Sequence, residues 1–484
     1  RPNDDLLAKF LLHEPGHPQE MTFFEGVSSL VPAHLAILTP RGFMTRRYWD
    51  FDGSCRTRLG SFQEYAEAFR DHFERAVRRR LRSAHPVAVS VSGGLDSSSI
   101  FCIAETLRRR SPDRHPPILG ISFISPEGSP SDEKEFLVEI ERDYGIAIER
   151  VPMGPAGLLN RSREAVWYVE VPYLDELWNS NYRFLPTVHR RGARVMLTGH
   201  WGDQMLFEQS YLVDLFHKLA WGEVRAHLKE FGRWFTDGDS SYFRQRFFVD
   251  LVKYHVPKAL IPSLRRIRGR EHRPWFTQAF QKLARRKTSN HSAFSRASFP
   301  TVHARAIYEQ ARSSHHVMCM EWNNKVAGMH GLDTTFPFLD RDLLAFLMSI
   351  PGEMQTWKGV PRTLLRAAMQ GNLPDAIARR TWKADFSHLV NEGAERDLPQ
   401  VLRGLESDGM ALKLGYVKGN VIRSELERLK DRMQGPTCEA AWSFSDLLGL
   451  ELWLQVFFGE NNNCHEGPGS PKGTPMALML GGIG

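Results

Sequence analysis

The chain has 484 residues, 42% hydrophobic and 25% charged; these proportions exclude a disordered or fibrous protein and suit two or three folded domains. Against 56 Asp and Glu stand 63 Lys and Arg, a net charge of +7. The excess is local: Leu264 to Lys287 holds nine basic residues and one acid, so the other 460 residues sum to −1, which disfavours a protein that coats nucleic acid and leaves one basic segment to explain.

In chain order, residues 1–60 read as irregular, punctuated by Pro, Gly and polar residues. Ser61 to Arg82 reads as an amphipathic helix, because Phe62, Tyr65, Ala66, Phe69, Phe73, Val77 and Leu81 recur at three- and four-residue steps. Ser61 suits its N-cap, and Arg78, Arg79, Arg80 and Arg82 suit the negative end of its dipole. Pro86 to Val91 is a β-branched run that reads as a buried strand. A helix over Ser97 to Arg110 and a strand over Ile118 to Phe123 follow. Next come a helix over Asp132 to Tyr144 with Ser131 as cap and a strand over Ile146 to Val151. A helix over Tyr182 to Arg191 and a strand over Arg194 to Leu197 complete the alternation. Such alternation predicts an α/β fold, a doubly wound parallel sheet with helices on both faces. Beyond about Phe207 the strand signals fade into a large helical C-terminal part. Asn461 to Gly484, rich in Gly, Pro and Asn, reads as disordered.

Five cysteines without a C-x-x-C pair argue against a disulfide scaffold or a zinc site and fit a reducing cytoplasm. No apolar run is long enough for a membrane helix. The chain opens Arg1-Pro2-Asn3-Asp4 without Met, from which an N-terminal part missing from this sequence is expected.

Two loops carry chemistry. Ser92-Gly93-Gly94-Leu95-Asp96-Ser97-Ser98 lies between a strand and a helix start. Glycines allow close backbone approach to an anion, a helix N-terminus turns its N–H groups toward it, and Ser92, Ser97 and Ser98 add hydroxyl donors. Asp96 would repel a bare phosphate but fits one bridged by Mg²⁺. Thr198-Gly199-His200-Trp201-Gly202-Asp203 ends another strand. In a doubly wound sheet, strand carboxyl ends bind the ligand, so Asp96 and Asp203 are expected to hold Mg²⁺ against a pyrophosphate. A capped Gly-rich turn and a helix-capping Asp203 are the plain structural alternatives.

The S-G-G-L-D-S-S loop, followed about 100 residues later by T-G-x-x-G-D, resembles the synthetase domain of asparagine synthetases, which belong to the S-G-G-x-D-S (PP-loop) ATP pyrophosphatases. Thr22 to Asp50 resembles the segment that joins the family's glutaminase and synthetase domains. Phe336 to Asp340 is similar to its R-x-P-F-L-D, Arg362 to Arg366 to its K-x-x-L-R, and Arg380 to Phe386 to its R-x-x-K-x-x-F. The resemblance implies an adenine nucleotide α-hydrolase-like fold and an adenylating amide synthesis on Mg-ATP. It divides the chain into a linker (1–60), a PP-loop core (61–215), a basic helical insertion (216–300), a helical C-terminal part (301–460) and a tail (461–484). Ser92, Gly93, Gly94, Asp96, Ser97 and Ser98 would hold pyrophosphate and Mg²⁺; Ile121, Thr198 and Gly199 would border the nucleotide, with Arg362 near it. Lys383 matches the family lysine that neutralises transition-state charge. The partners implied are a small carboxylate, aspartate-like, and ammonia or an amine; a glutaminase domain and a homodimer are left open.

The departures concern the substrate more than the ATP chemistry. His200 stands where asparagine synthetases usually have Glu and β-lactam synthetases Tyr, and an imidazole can take a proton from an amine near neutral pH. Trp201 replaces a Gly and is expected to narrow the pocket or stack on a ligand, and Arg362 replaces a Lys while keeping the charge. Competing readings are a peptide or secondary-metabolite amide synthetase of the lasso macrolactam kind, a tRNA-modifying PP-loop enzyme using the basic segment, and a non-catalytic relative.

Overall fold

The β-branched run after Pro86 forms the middle strand of a five-stranded sheet. The computed structural model describes residues 1–12, 19–153, 157, 159, 161–173, 178–235, 241–256, 273–284, 299–381, 384–433 and 439–459. In chain order its first elements are α1 (Asp4–Leu11), β1 (His34–Thr39), β2 (Gly42–Arg47), α2 (Phe62–Arg80), β3 (Val87–Ser90), α3 (Leu95–Arg110), β4 (Ile118–Ile124), α4 (Lys134–Tyr144) and β5 (Glu149–Pro152). Then come α5 (Ser162–Val169), α6 (Trp178–Arg190), β6 (Val195–Leu197), α7 (Gly202–Leu206) and, after a helical stretch, β7 (Asp333–Thr335).

The sheet order is β5-β4-β3-β6-β7, and every neighbouring pair is parallel. The chain therefore builds outward from β3 in one direction, returns, and continues from β6 in the other. That reversal is a topological switch point between β3 and β6, where the crossover helices leave on opposite faces. The alternation along β3 agrees: Val87, Val89 and Val91 join one apolar layer with α2 and α3, while Ala88 joins the other with α5, α6 and the helix Glu439–Phe458. The expected doubly wound sheet is thus observed, with a large helical part after it.

Helix α2 buries Tyr65, Ala66, Phe69, Phe73, Ala76 and Val77, the expected stripe. Ser61 is its N-cap: the hydroxyl accepts from Glu64 N at 3.3 Å and donates to the Glu64 carboxylate at 3.0 Å, and that carboxylate also accepts from Gly60 N at 3.1 Å. The C-terminal arginines do more than face a dipole. Arg79 and Arg80 reach Asp340 at 3.2 and 2.9 Å, and Asp340 caps the helix Arg341–Ser349. Burial pushes the Asp340 carboxyl up, but Arg80 and Arg79 outweigh it and hold it below the usual range. The aspartate of the F-P-F-L-D motif is therefore a structural tie between α2 and the C-terminal part.

Several expectations are corrected. Residues 1–60 are not all irregular: Asn3 caps α1, which buries Leu6, Leu7, Ala8 and Leu11, and β1 and β2 form an antiparallel hairpin. That hairpin is exposed along almost its whole length, with Leu38 81% and Phe43 66% exposed, so no burial pattern announces it. Helix α3 starts at Leu95, two residues before the expected Ser97, because Gly94 is extended at its N-cap. Helix α4 starts at Lys134, and Ser131 is not its cap; the Ser131 hydroxyl donates to Ser125, while Asp132 accepts from Lys134 N. Strand β5 begins at Glu149 rather than Ile146, and α6 begins four residues earlier than Tyr182. Strand β7 lies beyond Phe207, in the part where the sequence carries no strand signal. Much of the basic segment, and Asn461 to Gly484, lie outside the described residues. Within the segment, Arg273 is buried and paired with Asp446 at 2.7 Å, so this cation serves packing. Among the described residues no helix is long and apolar enough to cross a membrane.

Candidate active site

Both signal loops leave the sheet at the switch point. Ser92 to Ser98 runs from β3 into α3, and Thr198 to Asp203 from β6 into α7. They interlock so tightly that side chains are excluded: a Cβ on Gly199 would come within 2.8 Å of Ser97 N, and one on Gly202 within 2.5 Å of Asp96 Cγ. Gly93 has φ +81°, and a Cβ there would meet Phe136 Cβ at 2.8 Å. Only glycine fits that position on both counts.

The first loop is held by its own hydroxyls. Ser97 Oγ accepts from Ser92 N at 3.0 Å and lies 2.9 Å from Ser92 Oγ, and Ser92 Oγ accepts from Gly94 N at 3.2 Å. These groups sit at the N-terminus of the sixteen-residue α3, where first-turn N–H groups lack intrahelical acceptors and the dipole is positive. Asp96, in that first turn, and Asp203 both meet Arg362. Arg362 Nη1 lies 3.0 Å from Asp96 Oδ2 and 2.5 Å from Asp203 Oδ1. Burial pushes the Arg362 guanidinium down, but the carboxylates of Asp96 and Asp203 outweigh it and raise it. The expected pairing of Asp96 with Asp203 is thus present geometrically, and Arg362, expected beside the nucleotide, bridges them.

The remaining expected residues divide. Thr198 is buried, and its hydroxyl lies 2.8 Å from His200 Nδ1. That contact orients the imidazole, which is exposed and meets Phe336 edge-on at 6.1 Å. Ser98 is fully buried, so its hydroxyl is not open to a ligand as expected; it lies on the core side of α3. The Ile121 side chain is 1% exposed in the core, while its carbonyl accepts from Val91 N at 2.8 Å beside the loop. Trp201 adopts φ +73° and packs its ring 4.1 Å from that of His316. Trp382 and Lys383 lie outside the described residues. The segment around them is anchored on both sides: Arg380 pairs with Glu133, and Asp385 N donates to Pro130 O at 3.3 Å.

Arg366, the last residue of the R-T-L-L-R motif, to which the sequence assigned no role, completes the site. Arg366 donates from Nη2 to Arg380 O at 2.9 Å and from Nε to Pro361 O at 3.2 Å. Burial, with Arg362 nearby, pushes the Arg366 guanidinium down to about 10, still protonated at neutral pH. A cleft of about 670 Å³ lies elsewhere, lined by Arg109, Arg142 and Asn372 where α3 and α4 end. It is remote from the strand carboxyl ends, and Arg109 and Arg142 are paired there with Glu105 and Glu139.

His316 gives a first testable consequence. Burial, reinforced by His315, pushes its imidazole down to about 4. An unfolded chain takes that proton near 6.5. The stability tied to the neutral ring is therefore intact above pH 6.5 and is lost as the pH falls toward 4, at about 1.4 kcal/mol per unit. His316→Asn should flatten the acid limb of stability against pH, by about 2 kcal/mol between pH 7 and 5. Chemical denaturation at a series of pH values measures this, and an unchanged limb would exclude His316 as the group responsible.

A parallel sheet with a Gly-rich loop and an acid-bearing loop at its switch point, continued by a helical part, defines an α/β synthetase domain of the PP-loop kind. The family model for asparagine synthase matches residues 68–455, and the chain belongs to that family. Glutamine-hydrolyzing asparagine synthetase 3 of Bacillus subtilis is 21% identical over 448 residues, covering 89% of this chain and 64% of the relative. Amidase chry2 of Gibberella zeae is 31% identical over 193 residues, 38% of this chain and 29% of the relative. Amidase chyE of Penicillium rubens is 28% identical over 205 residues, with the same coverage. The chain thus spans less than two thirds of the length of each of these relatives.

Proposed function

We propose that the chain is an ATP-dependent amide-forming ligase that activates a carboxylate as its adenylate. One observation carries the reading: two strand-end loops at the switch point bring Asp96 and Asp203 onto one cation, beside the glycine loop and positive end of α3. A substrate carboxylate oxygen attacks the α-phosphorus of ATP, the bond to the bridging oxygen breaks, and pyrophosphate leaves. The amine nitrogen then attacks the acyl carbon, AMP leaves, and one proton is lost from nitrogen. Ser92, Gly93, Gly94 and Ser97 cradle the leaving pyrophosphate, and Thr198 and Gly199 border the nucleotide.

The residues fit Mg²⁺. Among the described residues no cluster of three or more His, Cys, Asp or Glu side chains could hold a metal. Mg²⁺ bound with substrate phosphates needs only one or two carboxylates, and Asp96 and Asp203 already converge on one positive charge. Held there, the ion would neutralise charge on the departing pyrophosphate. His200, oriented by Thr198, accepts the proton of the attacking amine. Lys383 is assigned, on its match to the family motif, to the charge that develops in the transition state.

An aspartate-like acid with ammonia is the first substrate pair to test. A larger peptide or secondary-metabolite amide is the second reading, supported by the departures at His200 and Trp201 from the asparagine-synthetase pattern. Two relatives carry the name amidase, and an amide is the bond formed here. With Mg²⁺, an ammonium salt and a panel of carboxylates, ATP should yield AMP and pyrophosphate only when an acid is accepted. ADP and inorganic phosphate as products would overturn the reading.

A further inference from the structure

The glycine loop is held from below by a buried cation far along the chain. We propose that Arg380 is a positioning residue for the anion loop: it clamps the Gly93 carbonyl and so turns the Gly94 N–H toward the pyrophosphate site. The proposal rests on the reading of this loop as the pyrophosphate cradle.

The Arg380 side chain is 5% exposed. Its Nη1 donates to Gly93 O at 3.2 Å and to Glu133 Oε1 at 2.5 Å. Its guanidinium carbon sits 4.5 Å from the centre of the Phe136 ring. Glu133 is the N-cap residue of α4 and Phe136 lies in its first turn. These two residues are also what a Cβ on Gly93 would strike. Arg380, Glu133 and Phe136 therefore form the floor on which Gly93 lies. The main chain of Arg380 is itself fixed, because Arg366 donates to its carbonyl.

A trans peptide is planar, with its C=O and N–H pointing to opposite sides. With Gly93 O drawn down onto Arg380, the N–H of Gly94 must point up. It does so, toward the exposed Ser92 Oγ at 3.2 Å. The clamp is a matter of orientation more than charge, since Glu133 offsets the guanidinium locally. Both bonds leave the single Nη1 nitrogen, so an ammonium placed there would serve both acceptors in part, but lysine lacks the planar guanidinium that lies over the Phe136 ring and fixes that nitrogen.

The test compares binding of inorganic pyrophosphate with Mg²⁺, and of AMP, by calorimetry. Arg380→Met alone strands Glu133 at a largely buried site, so the informative variants are Arg380→Lys and the double change Arg380→Met with Glu133→Gln. With the fold verified by circular dichroism, the double variant should lose about ten- to a hundred-fold in pyrophosphate affinity, the range for a lost hydrogen bond involving a charged group. AMP affinity should stay within about twofold, because the residues proposed to border the nucleotide, Thr198 and Gly199, belong to the other loop. Arg380→Lys should fall between wild type and the double variant. Unchanged pyrophosphate affinity in either folded variant would overturn the proposal, as would equal losses for pyrophosphate and AMP. Failure of the wild-type protein to bind pyrophosphate would instead remove the reading of the loop itself.

Discussion

Asp203→Asn is expected to cut pyrophosphate release by about a thousandfold while leaving the fold intact, and Asp96→Asn should do the same. Removing one preorganised polar group aimed at developing charge costs about a hundred- to a thousand-fold, and here a full charge is lost. Asn keeps the shape of Asp, which matters at Asp96, packed against the Gly202 backbone. Asp203 is about one third exposed, so its change should perturb stability least. Mg²⁺-dependent pyrophosphate release, compared with circular dichroism of each variant, measures both effects. Release from Asp203→Asn near the wild-type rate would make this loop merely structural.

Arg362→Met should give two changes of opposite sense. The guanidinium occupies the position between Asp96 and Asp203 that a divalent ion would share. Without it, the nucleotide-free protein should bind Mn²⁺, a spectroscopic stand-in for Mg²⁺, about tenfold more tightly, since two carboxylates lose a competing cation. Turnover should nevertheless fall by about a hundredfold, because a cation that can turn to the leaving pyrophosphate is lost. Arg362→Lys should recover much of the rate. Tighter Mn²⁺ binding with unimpaired turnover would show that Arg362 only blocks the site. Weaker Mn²⁺ binding would show that it props the carboxylates apart.

What could be read in advance was local. The stripe from Phe62 to Leu81 spans several turns, and the loop from Ser92 to Ser98 is contiguous, so short-range pattern sufficed for each. The approach of Asp96 to Asp203 followed from two strand ends on one sheet edge. Strand β7 did not follow, because Asp333-Thr334-Thr335 is short and polar and becomes a strand only by pairing with β6. Ser131 suits a cap because Ser, Asp and Glu all precede α4; a hydrogen bond to Ser125, six residues back in the same loop, decides otherwise. The packing of Trp201 on His316, 115 positions away, was not legible either, since no short-range pattern links the two. Arg380 and Glu133 lie 247 positions apart in sequence, beyond the reach of any spacing rule.

The same distances set a timetable for the ribosome. The glycine loop is synthesised early, but Gly93 meets its clamp 287 residues later, and Asp96 meets Arg362 after 266. At about 5–20 residues per second, the loop waits on the order of 15 to 60 seconds for its clamp to be made. During that interval Asp96 and Asp203, if already drawn together by the nascent sheet, repel each other with no guanidinium between them. A nascent chain ending near β6 would therefore hold both signature motifs and still have an unfinished site, and the slow step in reaching the native state is expected to be this late closure of contacts remote in sequence.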